Sequence, residues 1–593
     1  MREGRPFSRA ALACGVALGV LAFGVAHAAG EGVGEQQLVQ ADQHAGNWLT
    51  YGRDLAAHRF SALNQINPGT VKGLHVAWTM QLGGLEGGGL WKHGGLEGTP
   101  IADDGYLYVT DGWGSVYKID ARDGDGRLVW KMNPNTDRDW AGAVACCGVD
   151  NRGVALWHND VISATLDGRL IATDMKTGKI DWQMQVASPD KGYTITGAPL
   201  VIKDMAITGV AGAEMGIRGF IEAIDLKTHK ELWRTYTIPV GKEPGADTWP
   251  GTKQAEHGGG STWVTGTYDP KSNTLFWGVG NPGPDWDSSY RPGDNLYADS
   301  TLALDPDNGK LKWYFQMTPN DAYDYDAVGE NVLVDLPGGK HLDLEANRNG
   351  FAYALDRDNG KFLWATQFVS KLNWTKGINP KTGKPVEYKP GAGVQHYAVT
   401  PTPEHPKVTI CPGNMGGKNW PPTAYNPDLK IWYIPVIESC NLITLQKPKP
   451  GPIPEGKFFT GGGPSQPYKI TGSVTAINVV TGKEVGKMKT EYPMLGGILA
   501  TPHLIFYGTP DGKLVAADAK TLKTVWSFNT GGGINAPPIT FKADGKQYIA
   551  VEVGNGGAWG HWFVDATPGL KKVEPSSTLY VFGLDSKVAS NGQ

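Results

Sequence analysis

The sequence predicts an all-β fold, an eight-bladed β-propeller with long insertions between the blades. Three observations predict it: the composition, a motif that recurs along the whole chain, and short alternating strands within each copy of the motif. Of the 593 residues, 82 are glycine, 40% are hydrophobic and only 19% are charged. A chain with this apolar content can bury a large core, and this much glycine would interrupt the helices of a bundle.

The recurring motif is a strand that ends in an acidic turn, followed by Gly-Lys or a similar pair and then by tryptophan. The first four copies end at Trp78, Trp130, Trp182 and Trp233, which are 52, 52 and 51 residues apart. Later copies end at Trp313, Trp364 and Trp526, and one copy near residues 476–486 has Gly486 where tryptophan is expected. Repeats of this length with several short strands are typical of propeller blades, whereas a solenoid or two sandwiches is the alternative. We expect these tryptophans to pack between blades and not to form a site.

One long segment interrupts the repeats. Residues 375–472 carry 17 of the 40 prolines. Proline removes a backbone donor and is rare in central strands. We therefore expect this segment to be a surface excursion and not a blade.

The N-terminal residues 1–28 are typical of a secretory signal. Three arginines precede the apolar run 10–25, and residues 26–28 have the A-x-A form of a cleavage site. A membrane anchor is the alternative, but the run is short for one. No other stretch is long and apolar enough to span a bilayer. We expect residues 29–593 to form a single exported, periplasmic propeller domain with no membrane partner.

The charge balance gives no reason to expect a nucleic-acid partner. The chain has 55 Lys and Arg against 59 Asp and Glu, a formal net charge of -4. Nucleic-acid binding normally needs a basic excess.

Four cysteines remain after removal of the signal: Cys146, Cys147, Cys411 and Cys440. Export to an oxidising compartment favours disulfides. A bond between the adjacent pair would be strained, because neighbouring Cα atoms lie about 3.8 Å apart and disulfides usually span about 4.4–6.8 Å. The residues themselves leave two possibilities open: a bond between Cys146 and Cys147, or two bonds to Cys411 and Cys440.

Oxygen-bearing side chains are scattered between the blades, namely Glu214, Asn281, Asp324 and Asp326. Residues 278–283 formally match the dinucleotide-binding pattern G-x-G-x-x-G. The prolines at 282 and 284 prevent a helix from starting there, so the dinucleotide interpretation fails.

Several segments together resemble the pyrroloquinoline-quinone (PQQ) dependent alcohol dehydrogenases, the quinoprotein methanol and ethanol dehydrogenase family. They are residues 95–100, 146–153, 212–214, 280–282, 324–326, 411–413 and 417–420. They occur in family order along nearly the whole mature chain, and the Cys-Cys segment with its following Arg152 is highly specific. The family fold is an eight-bladed propeller.

The resemblance implies a PQQ site near the propeller axis. Cys146 and Cys147 would form a disulfide ring over one face of the quinone, and Trp263 would stack on the other face. Arg152 would pair with a quinone carboxylate. The implied cofactor-binding residues are Glu97, Cys146, Cys147, Arg152, Thr196, Gly212, Ala213, Ser261, Trp263, Arg348, Asn419, Trp420 and Trp559.

The resemblance also implies a metal site. Glu214, Asn281 and Asp324 would bind a cation together with quinone oxygens, and Arg348 would assist at the same oxygens. Asp324 would be the general base for the alcohol proton, and hydride would pass from the alcohol carbon to the quinone. Asp326 would make the site lanthanide-dependent, because members that use calcium carry a small residue there. Calcium beside a non-ligating Asp326 is the alternative.

Three departures from the family pattern put methanol in doubt as the main substrate. They are Ala211, the replacement of a tryptophan by Leu495, which predicts a roomier pocket, and one extra residue within 284–286. No haem-attachment motif C-x-x-C-H occurs. The resemblance therefore implies a separate soluble cytochrome c as electron acceptor, and a homodimer. The rival hypothesis is a non-catalytic propeller that binds partners.

Overall fold

The computed structural model describes Met1 and residues 32–89, 91–145, 147–447, 453–564 and 566–585. Residues 2–28 of the predicted signal and Cys146 lie outside the described residues. From Gly32 onward the chain forms one compact unit. No helix in the described part is both long and apolar enough to cross a membrane.

The protein is built mainly of antiparallel sheets. In the described residues, seven sheets have four strands, one has six, and a hairpin has two. The strands, sheet by sheet in chain order, are Ile101–Asp103, Tyr106–Thr110, Val116–Asp120 and Arg127–Met132; Ala155–Trp157, Asp160–Ala164, Arg169–Asp174 and Ile180–Gln185; Leu200–Ile202, Met205–Gly209, Phe220–Asp225 and Lys230–Tyr236; Thr267–Asp269, Thr274–Gly278, Ser300–Leu304 and Leu311–Gln316; Val332–Leu336, Lys340–Ala346, Phe351–Asp356 and Phe362–Gln367; Lys407–Ile410, Ala424–Asn426, Ile431–Leu445, Gly462–Pro464, Tyr468–Asn478 and Lys483–Thr490; Ile498–Ala500, Leu504–Gly508, Lys513–Asp518 and Thr524–Asn529; and Ile539–Ala543, Lys546–Val553 and Thr578–Leu584 with Leu74–Gln81. The hairpin joins Glu86–Gly88 and Trp91–His93.

The few helices are short and lie in the connections. The α-helices are Glu35–Val39, Arg138–Val144, Thr252–Ala255 and Gly557–Trp559, and Gly560–Val564 is a π-turn. The 3-10 turns are Ala41–His44, Val71–Gly73, Pro189–Lys191, Ala213–Met215, Ala246–Thr248, Ser288–Tyr290 and Leu570–Lys572. The prediction of an all-β protein whose repeats hold several short strands is confirmed, and most of the sheets have four strands.

One sheet combines the first strand of the chain with the last three strands. The strand Leu74–Gln81 pairs antiparallel with Thr578–Leu584, and the register aligns Thr79 with Tyr580. Because a propeller must close into a ring, a sheet that combines the first and the last strands leaves no open edge there.

The repeat tryptophans pack between neighbouring sheets, as predicted. The indole nitrogen of Trp130 donates to the carbonyl of Met175 in the next repeat at 3.0 Å. A Cβ on Gly178, the glycine of that repeat's turn, would lie 2.7 Å from the Trp130 ring. Trp313 makes the same arrangement with Arg357 and Gly360. The turn glycine of each such repeat therefore provides space for the tryptophan of the repeat before it.

The expectation that residues 375–472 form only a surface excursion is wrong. The strand Ile431–Leu445 lies inside this segment and pairs with Tyr468–Asn478 in the six-stranded sheet. Its first seven residues are apolar, and all but Ile431 are buried. Pro435 is tolerated within it, opposite Val474. High proline content concealed this apolar strand, because most of the prolines lie in the loops that flank it.

Candidate active site

A single cavity of about 200 Å³ collects side chains from the loops that connect the sheets. Its lining residues come from segments as distant in the chain as Glu97 and Ala558. Among the predicted residues it is lined by Glu97, Cys147, Arg152, Thr196, Gly212, Glu214, Ser261, Trp263, Asp324, Asp326, Arg348, Asn419 and Trp420. The structure therefore brings together most of the residues that the resemblance implied.

Two of the predicted residues that the structure describes are not among the lining residues. Ala213 is buried beside Gly212, and the backbone N–H of Asn281 donates to Asp326. Cys146 and the side chain of Trp559 lie outside what the structure describes.

The structure answers part of the question of how the cysteines pair. Cys411 and Cys440 bond to each other, which excludes the alternative in which both bond to the adjacent pair. Cys147 is also disulfide-bonded. Its bond with Cys146 stays a prediction.

One end of the cavity is organised around the Arg152 guanidinium. Arg152 donates to the Glu97 carboxylate at 2.6 Å and lies 3.6 Å from Asp150. The same guanidinium stacks on two indoles, with its carbon 4.9 Å from the Trp263 ring centroid and 4.8 Å from that of Trp420. Cation–π contacts of this kind hold a guanidinium in one plane.

This end has unused donors. Within the described residues, Nε and Nη1 of Arg152 are buried and donate no hydrogen bond. A buried donor without a partner is costly, so such groups usually meet a ligand or water. Aromatic rings together with unused guanidinium donors fit a flat, anionic ligand such as a quinone carboxylate.

The other end is a cluster of carboxylates around Arg348. Its guanidinium donates through Nη1 to Oδ1 of Asp324 at 2.8 Å, and its Nη2 forms an ion pair with Oδ2 of Asp326 at 2.8 Å. Nη1 also donates to the backbone carbonyl of Asp324 at 2.8 Å. Asp326 accepts two further hydrogen bonds, from the Trp263 indole at 3.1 Å and from the backbone N–H of Asn281 at 2.5 Å. One guanidinium thus fixes two acidic side chains at once.

Backbone conformation adds to the unusual character of Asp324. Its φ is 62°, in the left-handed region that few non-glycine residues adopt. Residues held in this region are frequent at functional sites, because the surrounding structure must maintain them.

Burial and the neighbouring carboxylates raise the pKa values of the carboxyl groups in this cluster. Burial raises the pKa of Glu214 to about 7, and Asp326 adds to the increase. Burial raises the pKa of Asp324 well above its usual range, and Asp326, Asp285 and Glu214 act in the same direction against Arg348. A bound cation would favour the ionised forms of these groups.

The donor chemistry fits a hard cation. Glu214, Asp324, Asp326 and the amide of Asn281 offer only oxygen ligands, which calcium and trivalent ions prefer. Within the described part of the chain, however, no three His, Cys, Asp or Glu side chains are gathered into a metal-binding group by themselves. Oxygens from a second ligand in the cavity would complete such a site.

Sequence reasoning missed several lining residues, among them Asp285, Trp286, Met415, Phe458, Thr460 and Trp562. Asp285 and Trp286 lie at the extra residue seen in the sequence, which was the only signal for them. Phe458 and Thr460 belong to the segment predicted to be a surface excursion. Phe458 is 62% exposed and marks the mouth of the cavity.

The effect of Leu495 on the size of the pocket stays a prediction. Leu495 is fully buried and is not a lining residue. It belongs to a buried cluster that also holds Val264, Met415 and Trp420. Two members of that cluster, Met415 and Trp420, line the cavity.

Comparison with known proteins agrees with this geometry. Residues 48–370 match the family model of the glucose/ethanol/alcohol dehydrogenase β-propeller domain, a PQQ family. The chain is 36% identical to the quinoprotein alcohol dehydrogenase PedH of Pseudomonas putida, over 96% of this chain and 96% of that protein. It is 34% identical to a quinoprotein ethanol dehydrogenase of Pseudomonas aeruginosa, over 93% of this chain and 92% of that protein. Among solved structures, a europium-containing methanol dehydrogenase superposes with a TM-score of 0.82 at 32% identity and covers 93% of this chain and 100% of its own.

Proposed function

The chain belongs to the family of PQQ-dependent quinoprotein alcohol dehydrogenases and is an enzyme of that family, and from this premise we propose its particular reaction. It oxidises primary alcohols to aldehydes in the periplasm, with PQQ and a lanthanide ion in the cavity. Electrons leave to a soluble cytochrome c. The observation that carries the proposal is the single cavity with an anion-binding end at Arg152 and a cation-binding end at Asp324 and Asp326.

PQQ is a flat tricarboxylate, and the Arg152 end is suited to one edge of it. Arg152 has two unused nitrogens, and Trp263 and Trp420 supply aromatic surface. Cys147 lines the same cavity, which agrees with a disulfide ring over the quinone. Thr196, Ser261 and Asn419 add polar groups to the rim.

The choice of a lanthanide depends on Asp326. Glu214 and Asp324 alone offer two carboxylates, and Asp326 adds a third, which better suits a trivalent ion. The similarity to a europium-containing methanol dehydrogenase favours the same choice. Calcium is the alternative, in which Asp326 serves only to hold Arg348, Trp263 and Asn281.

The protein's own groups manage the proton of the alcohol. Oδ1 of Asp324 is engaged by Arg348 at 2.8 Å, which orients the carboxylate as a base. The raised pKa makes Asp324 a stronger base once it is ionised. Asp326, held by the same guanidinium, keeps Arg348 in place. When bound, the quinone would accept hydride and the cation would polarise its carbonyl.

The apolar part of the cavity lining indicates the substrate class. Trp286, Phe458, Trp562 and Met415 contribute mostly apolar surface to the cavity that Asp324 also lines. We propose that the substrates are alcohols larger than methanol, because apolar surface in the cavity binds an alkyl or aromatic chain favourably.

Three further features complete the proposal. The eight sheets of four or more strands within the described residues support an eight-bladed propeller. The signal-like residues 1–28 support export to the periplasm. A homodimer and the separate cytochrome follow from the resemblance to the family.

The proposed function is tested with metal-free protein, PQQ and an artificial electron acceptor, using ethanol as substrate. Lanthanum and calcium are added separately, and the quinone absorbance retained after dialysis is recorded. Activity with lanthanum alone supports the proposal, and activity with calcium alone makes Asp326 a supporting residue. Loss of the quinone on dialysis with no activity from either metal contradicts the enzyme's proposed reaction and favours a binding propeller.

A further inference from the structure

Asp285 is a buried carboxylate at the cation-binding end for which the family pattern has no counterpart. It lies in the loop with one extra residue, is 2% exposed and lines the cavity. Its Oδ1 accepts a hydrogen bond from Nδ2 of Asn281 at 3.1 Å. The backbone N–H of the same Asn281 donates to Asp326. Asp285 is therefore in direct contact with one proposed cation ligand, and that ligand is in contact with another.

The chemistry of this contact determines which way the Asn281 amide points. Because Oδ1 of Asp285 accepts from Nδ2 of Asn281, the contact holds the amide NH₂ toward Asp285 and turns the amide carbonyl away from it. The same NH₂ also donates to the carbonyl of Pro282 at 3.4 Å. Both amide hydrogens are thus engaged, and the carbonyl oxygen of Asn281 accepts no hydrogen bond from any described residue. That oxygen is the atom that a hard cation would bind.

Asp285 also changes the charge at this end of the cavity. The guanidinium of Arg348 faces Asp324 and Asp326 and also acts electrostatically on Glu214. Asp285 adds a fourth carboxylate, on which a second buried guanidinium, that of Arg291, acts. The additional carboxylate favours a cation of higher charge.

We propose that Asp285 is a positioning residue for the metal site: it turns the Asn281 amide so that its carbonyl oxygen faces the cation, and it supplies a fourth carboxylate that favours a trivalent ion. This proposal rests on the proposed metal-dependent function. Groups that orient a ligand from behind typically change metal affinity by about 10- to 100-fold.

The test uses terbium as the probe, in the PQQ-loaded full-length protein. Trp263 and Trp286 line the cavity and can sensitise terbium emission. Titration gives the affinity, and emission lifetimes in H₂O and D₂O give the number of water molecules on the ion. The variants are Asp285→Ala, which removes both the acceptor and the charge, and Asp285→Asn, which keeps the shape and an acceptor but removes the charge.

The matched control is Asp287→Asn, in the same loop. Asp287 is 1% exposed, caps the turn Ser288–Tyr290 and is not a lining residue. Asparagine caps as well as aspartate, so this change removes one buried charge without reaching the cavity.

We expect Asp285→Ala to bind terbium about 10- to 100-fold more weakly and to gain about one water on the ion, because the Asn281 ligand is lost. Asp285→Asn should weaken binding with a smaller change in hydration, and Asp287→Asn should match the wild type. If both Asp285 variants keep the wild-type terbium affinity and the wild-type number of water molecules on the ion, the role of Asp285 is overturned. The proposed lanthanide function is not affected by that result. A wild-type protein that takes up no terbium would overturn the lanthanide function and, with it, this role.

Discussion

Replacing Arg348 with lysine separates the charge of this residue from its forked shape. Arg348 contacts Asp324 and Asp326 through different nitrogens, each at 2.8 Å. A lysine ammonium is a point charge at the end of a flexible chain and cannot reproduce the planar fork. At least one of the two contacts, the charged hydrogen bond to Asp324 or the ion pair with Asp326, should therefore be lost.

The size of the loss of activity follows from the loss of one charged contact. A hydrogen bond to a charged group contributes about 1.5–3 kcal/mol. Because 1.4 kcal/mol corresponds to a factor of about ten, we expect kcat/KM to fall about 10- to 150-fold. The fall should lie mainly in kcat, since the lost contact orients the base during reaction.

The pH dependence provides a second measurement. The positive charge of Arg348 lowers the pKa of Asp324, which burial raises. The base must be ionised to accept a proton, so activity falls as the pH drops through this pKa. With the positive charge less well placed, the pKa rises further and the acidic limb of the profile moves to higher pH.

The assay is steady-state oxidation of a primary alcohol with an artificial acceptor, at equal PQQ and metal content for each variant. The control is Arg357→Lys. Arg357 is 5% exposed and also bridges two aspartates, Asp269 at 3.3 Å and Asp335 at 2.5 Å, but it is not a lining residue. Arg348→Lys with wild-type kcat/KM and an unmoved pH profile would refute the reasoning, as would an equal loss in Arg357→Lys.

Three further predictions concern the metal, a buried acid and the disulfide. Asp326→Ala should lose lanthanum-dependent activity, because the third carboxylate is gone; unchanged lanthanum dependence contradicts this. Burial raises the pKa of Glu345 to about 8, so between about pH 4.5 and 8 only the unfolded state ionises and stability falls by about 1.4 kcal/mol per pH unit. Glu345→Gln should flatten this slope in denaturant unfolding from pH 5 to 8, and an unchanged slope contradicts it. Replacing Cys411 and Cys440 with alanine opens a 29-residue loop and should lower the free energy of unfolding by roughly 3.6 kcal/mol relative to the oxidised wild type, measured by denaturant unfolding. The reduced wild type should match the double variant, and a double variant as stable as the oxidised wild type contradicts this prediction.

The repeats could be predicted from the sequence because their signals are local. The tryptophan spacing and the turn glycines reappear in the structure as contacts such as Trp130 with Gly178. The strand Ile431–Leu445 could not be predicted, because its apolar residues stand in a proline-rich segment. Its place in a sheet depends on its pairing with Tyr468–Asn478.

The sequence predicted many of the residues that line the cavity but not how they are arranged in it. Motifs identified Asp324, Asp326 and Arg152, and all three line the cavity. Phe458 carries no motif, and only the folded structure shows that it lines the cavity. Leu495 lies in a buried cluster with Met415 and Trp420, and its effect on the size of the pocket stays a prediction.

The amino-acid sequence alone was enough to predict the repeated sheets, the tryptophans that pack between them and the identity of the acidic and aromatic residues available for chemistry. These features follow from periodicity, turn residues and motifs, all of which act over short distances along the chain. The folded protein was needed to show that one guanidinium joins Asp324 and Asp326, and that Asp285 faces the amide of Asn281. Such contacts depend on how loops from different sheets meet at one cavity, and no local pattern encodes the distance between two side chains on separate loops.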